Sequence, residues 1–133
     1  MENEKKEIQC ITLNKDLFAN VRIGKKVSMT VPGVKDFNVG NAYFVDPEDN
    51  DKRCKVVINT IFLSTFEDNL KDEMHCKLEG YDTKRQFLDY MYGNYGKIEP
   101  QDIMTTIFFS YRQVEGVWPI HNVGEFAFLQ FSF

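Results

Sequence analysis

The sequence predicts an α+β fold in which strands pack face to face or close on themselves as a barrel. Three observations carry that expectation. Twelve of the 133 residues are phenylalanine and 14% are aromatic, a composition suited to strands with a packed face. The run Cys54 to Ser64 places Val56, Val57, Ile58, Ile61, Phe62 and Leu63 on both phases of a strand, as expected for a central one. Downstream, Phe87, Leu88, Met91 and Tyr95 recur at helical spacing before Gly96. A chain of 133 residues fits one domain. It can bury roughly two thirds of its unfolded surface, enough for a core without metals or disulfides.

The elements follow in order. Ile8 to Leu13 reads as a first strand. Asn14 or Asp16 can cap a short helix carrying Leu17, Phe18, Val21 and Ile23, which Gly24 ends. Val27 to Val31 alternates as a strand and Pro32-Gly33 breaks it. Ala42 to Val45 is a short strand, joined by the polar turn Asp46 to Asp51 to the long run from Cys54. Phe66 to Leu70 is one helical turn, and Asp82 is the expected cap of the amphipathic helix. Ile103 to Tyr111 is another strand. In the tail, Phe126 and Phe128 lie on one phase and Leu129, Phe131 and Phe133 on the other. That pattern predicts an added strand with a bulge or burial on both faces. The chain thus divides into a flexible start over 1–7, a domain over 8–112 and an extension over 113–133.

Charge and cysteines narrow the function classes. The net charge of −4 argues against a broad phosphate-binding surface. The distribution is uneven, with Lys5, Lys6, Lys15, Arg22, Lys25, Lys26 and Lys35 set against Glu2, Glu4, Glu7 and Asp16 in the first 35 residues. A small basic patch there is compatible with an anionic partner. No apolar run reaches membrane-spanning length and the first seven residues are charged, so a cytoplasmic protein without membrane contact is expected. Cys10, Cys54 and Cys76 are odd in number and widely spaced, as expected of reduced thiols.

The segment Gly24-Lys25-Lys26-Val27-Ser28-Met29-Thr30-Val31, followed by Phe37-Asn38-Val39-Gly40-Asn41 and Lys77-Leu78-Glu79-Gly80-Tyr81, resembles the ASCH family over about residues 8–112. The resemblance implies a small PUA-like β-barrel flanked by two or three helices, with a cleft beside it. Members of that family are proposed to bind RNA. Some small bacterial members are amidohydrolases that remove acyl groups from modified cytidine, using a lysine, a threonine and a glutamate. Carried onto this chain, the lysine is Lys26 and the glutamate is Glu79. Met29 and Val31 stand at the positions of the family's threonine and arginine, which replaces a hydroxyl and a guanidinium by apolar groups. On a regular strand Ser28 and Thr30 point away from Met29 and Val31, and only a bulge would bring Thr30 round to them.

Lys26 and Glu79 are therefore the expected pair at the cleft, catalytic if the chain is an enzyme. Arg22, Lys25, Lys26, Lys35 and Glu79 are the expected ligand contacts. The alternative is that Lys26 is a solvated turn residue and Glu79 flanks a helix. His75-Cys76 is not expected to be a metal or nucleophile site, because adjacent residues on a strand diverge and finger spacing is missing. Tyr90, Tyr92, Tyr95 and Trp118 are candidates for base stacking or for the rim of a core, and His121 reads as a surface loop residue. No metal or cofactor is expected. The leading expectation is a module that binds RNA, a modified nucleotide or a nucleoside-like small molecule. The alternatives are a small amidohydrolase acting on acylated cytidine-type nucleosides and an interaction protein that pairs through its C-terminal strand.

Overall fold

The long apolar run becomes the centre of the sheet. In a computed structural model describing residues 8–112, five strands form one mixed sheet: β1 (Gln9–Thr12), β2 (Ser28–Pro32), β3 (Gly40–Asp46), β4 (Asp49–Thr65) and β5 (Ile103–Tyr111). Their order is β1-β3-β4-β5-β2, with β1 parallel to β3 and every other pair antiparallel. A register shift between Ile58 and Thr60 explains why β4 is apolar on both phases. Val56 and Ile58 point inward before the irregularity and Ile61 packs inward after it. One extra residue re-phases the strand without ending it.

The two faces of the sheet carry two cores. All five strands and α1 (Phe18–Arg22) contribute to the first, where Phe44 meets Phe109 edge-on with ring centroids 4.8 Å apart. The sheet is thus a half-barrel curled round this cluster, the PUA-like architecture expected of the sequence. The second core lies on the other face, where Met104 packs with Phe66, Cys76, Phe87, Met91 and Ile98 from α2 (Phe66–Lys71), α3 (Glu73–Leu78), α4 (Lys84–Tyr95) and the loop after α4. Strand β5 separates the two by alternation. Ile107 and Phe109 belong to the first core and Met104 to the second, which turns Thr106 toward the helices as well.

Three local expectations need correction. The segment 73–78 is a helix, not a strand, with the Asp72 side chain accepting from the Met74 amide at its start. The cap of α4 is Thr83 rather than Asp82. Its hydroxyl accepts from the Gln86 amide, and Gln86 Oε1 accepts in return from the Thr83 amide, a reciprocal capping box. Ile23 lies beyond α1 and is exposed, so it contributes nothing to the core. The expected flexible start, the added C-terminal strand, Trp118 and His121 lie outside the described residues. No described helix is long and apolar enough to cross a membrane.

The cap makes a simple test of this assignment. Thr83→Ala should lower unfolding free energy by about 1 kcal/mol, and Asp82→Ala by much less, in urea titrations followed by circular dichroism.

Candidate functional site

Five polar side chains meet in the layer between the sheet and α3, beside the second core. Lys26 stands just before β2 and is 1% exposed; Glu79 stands just after α3 and is 2% exposed. The Lys26 Nζ donates to the Glu79 carbonyl oxygen at 3.1 Å and lies 3.5 Å from Glu79 Oε1. The second carboxylate oxygen belongs to Thr30, whose Oγ1 donates to Glu79 Oε2 at 2.5 Å. Thr30 Oγ1 also lies 2.9 Å from His75 Nε2 and 2.8 Å from Thr106 Oγ1. His75 reaches Glu79 Oε2 at 3.4 Å along α3, and its ring packs edge-on against Phe87. One carboxylate therefore ties together a loop, a strand and a helix.

Hydrogen-bond capacity assigns the protons. A hydroxyl has one donor and two acceptor positions. Thr30 spends its proton on Glu79, so its remaining two positions receive a hydrogen from Thr106 Oγ1 and one from His75 Nε2. That makes His75 an Nε2–H donor. The same count leaves Glu79 as the only carboxylate base in contact with Thr30 among the described residues.

Burial and pairing act in opposite directions on the ion pair. Burial pushes the Glu79 carboxyl up, but Lys26, His75 and Thr30 together outweigh it and hold the group below the ordinary carboxylate value. For Lys26 burial wins over the attraction of Glu79, so the ammonium gives up its proton more readily than an ordinary lysine. The asymmetry has a plain cause: Glu79 has three partners and Lys26 has one carboxylate. Above this pair the chain passes from α3 to α4 through Gly80, at φ +101°. A Cβ there would come within 3.3 Å of Lys26 Cβ. The backbone has to approach the lysine stem, and glycine permits it.

The strand phase corrects the expected reactive face. Met29 and Val31 do not face Lys26 and Glu79; both are buried in the barrel core. Ser28 and Thr30 occupy the opposite face and point toward α3. Thr30 thus supplies a hydroxyl without any bulge in β2, whose pairing with β5 is regular from Ser28 to Pro32. The cue was parity. Lys26 and Thr30 are four residues apart, an even step that shares a face, whereas Met29 is three away. His75 and Thr106 were also missed. The helical i, i+4 spacing of His75 and Glu79 and the direct pairing of Thr30 with Thr106 across β2 and β5 are the signals that point to them.

The remaining expected contacts are scattered. Arg22 and Lys25 are exposed near the start of β2, where the amides of Lys25 and Lys26 both bond to Asn20 O. Lys35 is exposed beyond the other end, so the whole length of β2, about 13 Å, lies between them. Tyr90 and Tyr81 pack together at 5.6 Å, while Tyr92 and Tyr95 are partly exposed. A separate surface cleft of about 240 Å³ is lined by Glu73, Cys76, Lys77, Asp82 and Lys84, and none of the five buried polar groups lines it. The described residues hold no cluster of three His, Cys, Asp or Glu side chains able to take a metal.

A half-barrel with helices packed on its convex face recurs in solved structures. An ASCH domain from Lactobacillus crispatus JV V101 superposes with a TM-score of 0.51 at 12% identity, over 77% of this chain and 79% of that one. This chain has the ASCH-domain fold. The ASCH protein of Zymomonas mobilis gives a TM-score of 0.53 at 12% identity over 78% and 66% of the two chains. A DUF984 protein from Enterococcus faecalis V583 gives 0.55 at 10% over 80% and 82%. No family model matches the sequence, and no curated protein matches it.

Removing one charge from the buried pair tests its role in this ASCH-type fold. Lys26→Met should cost about 3–5 kcal/mol by leaving Glu79 unpaired, and adding Glu79→Gln should recover part of that loss in denaturant titrations. Acid should act through the same carboxylate. Because its folded value is depressed, its stabilisation is complete above the ordinary value of 4.5 and is lost as pH falls from there through the folded value. Unfolding free energy should therefore drop below pH 4.5 in the wild type and drop less steeply in Glu79→Gln.

Proposed function

We propose that the chain is a binding module for RNA or a modified nucleotide, with the Lys26–Glu79 cluster at the base of its ligand site. The observation that supports it best is the ASCH-domain fold with a buried, self-satisfied polar cluster next to the exposed Arg22 and Lys25. Groups that satisfy one another in this way are held rigidly, which suits recognition. Arg22 and Lys25 contact phosphate on one side, and Lys35 contacts it one strand length away. With three phosphate contacts on a single strand, affinity should fall by roughly 15–20-fold between 50 and 200 mM salt. Fluorescence anisotropy with a short labelled RNA reads that slope. Arg22→Gln with Lys25→Gln should flatten it, and binding indifferent to salt would contradict phosphate contact.

A second reading rests on the Thr30–Glu79 hydrogen bond. Glu79 is placed to take the Thr30 proton, and Lys26 neutralises the carboxylate's other oxygen. With a hydroxyl in contact with its base, an amidohydrolase is chemically equipped in a way that Met29 would not permit. Turnover of an N-acylated cytidine that disappears in Thr30→Val and Lys26→Ala supports this reading; turnover that survives both substitutions rejects it. Pairing through the tail strand concerns residues outside those described.

A further inference from the structure

Beyond the described helices, the convex face of the sheet carries cations and rings that are exposed or half-buried. Strand alternation puts Tyr43 of β3 opposite Lys55 of β4, and Val45 opposite Arg53, on the face away from the barrel core. The Arg112 amide donates to Lys55 O at 2.9 Å. That bond continues the β4–β5 ladder by one step and sets Arg112 opposite Lys55 on the same face. Past the irregularity between Ile58 and Thr60, Thr60 pairs with Phe108 and Phe62 with Thr106, so both rings lie on this face as well. They stack with centroids 5.7 Å apart, and Phe62 is 37% exposed. The Arg53 guanidinium carbon lies 5.4 Å from the centre of the Tyr43 ring.

The charges on this strip repel. Lys55 and Arg112 are like charges directly across a ladder, which costs stability. Among the described residues no carboxylate pairs with Arg53, Lys55 or Arg112. The carboxylates on this phase of β4, Asp49 and Asp51, come only beyond Arg53 at the hairpin end. The strip is thus positive on a chain whose net charge is −4. Cations alone would suit any polyanion. Rings in line with them suit one whose charges alternate with flat apolar groups, and that is a single-stranded nucleic acid. From Arg53 to Phe62 the strand runs roughly 30 Å, room for the four or more nucleotides such surfaces hold.

We propose that the row Arg53, Lys55 and Arg112 and the ring pair Phe62 and Phe108 form a docking surface for single-stranded nucleic acid, with phosphates on the row and a base on the rings. The surface is separate from the Lys26–Glu79 cluster and does not rest on the reading given for it. A phosphate between Lys55 and Arg112 removes their repulsion, and the planar fork of Arg112 fits two of its oxygens. Arg53 Nε donates to Asn50 O at 2.9 Å, which leaves the terminal guanidinium nitrogens for a second phosphate. Stacking and phosphate contact serve a ribose or a deoxyribose strand alike.

The test is fluorescence anisotropy of the full chain with short labelled oligothymidylate and oligouridylate at 50 and 200 mM salt. Both should bind, and oligothymidylate affinity should fall roughly 15–20-fold across that range for three phosphate contacts. Arg53→Gln, Lys55→Gln and Arg112→Gln combined should remove most of that salt dependence. Its Tm should be unchanged or raised, because a repulsion has gone. Phe62→Ala should weaken binding by roughly five- to 150-fold, the effect of one stacked base. Arg22→Gln with Lys25→Gln should leave oligothymidylate binding as it is. Unchanged affinity in the triple variant or in Phe62→Ala overturns the surface. So does a wild type that binds no oligothymidylate, or binding lost in Arg22→Gln with Lys25→Gln, since the contacts then belong to the site at Lys26. Oligoglutamate that displaces the label as well as unlabelled oligothymidylate does assigns the row to an acidic polypeptide and overturns the nucleic-acid assignment.

Discussion

The carboxylate of Glu79 is the constraint on which the arrangement depends. It is almost wholly buried, and a charge in that position is tolerable only with partners on both oxygens. Lys26 provides one, Thr30 and His75 provide the other. Each partner comes from a different element, so satisfying one charge fixes the loop before β2, the face of β2 and the axis of α3 relative to one another. The backbone joins in the same task. The Val27 amide donates to Leu78 O at 2.8 Å, and Val27 O accepts from Phe109 at 3.0 Å. The short connection through Gly80 then follows, since a bulkier residue would collide with the lysine it covers.

This layout divides labour between the two faces of the sheet. The barrel face is mostly apolar and holds the strands by burial, with Met29 and Val31 among its members. The helix face changes character along its length, from the aromatic and methionine packing of Phe66, Phe87, Met91 and Met104 to the hydroxyl row of Thr30 and Thr106. A polar row next to an apolar core sits where the local dielectric is low and its hydrogen bonds count for more.

Much of the fold was legible because its signals were strong and local. The apolar run of β4, the periodicity of α4 and the glycines after α1 and α4 each announce themselves within a dozen residues. Helix α3 did not. At six residues it is too short for periodicity, and its sequence, Glu73-Met74-His75-Cys76-Lys77-Leu78, carries no strong propensity either way. That one misreading concealed His75, whose tie to Glu79 exists only at helical spacing. The reactive face was misread for a different reason. A motif position compared by order along the chain put Met29 opposite a threonine, whereas strand parity puts Thr30 beside Lys26. Thr106 and the loop glycine Gly80 owe their roles to contacts across 76 and 53 or more residues, which no local pattern records.

The most direct test of this account is the titration of the Glu79 side-chain carbon by NMR in the intact chain. A carboxylate held by Lys26, Thr30 and His75 should stay ionised well below pH 4.5, and Lys26→Met should move its midpoint upward. A midpoint at or above the ordinary glutamate value in the wild type, or one that ignores the loss of Lys26, would contradict the ion pair at the centre of the structure.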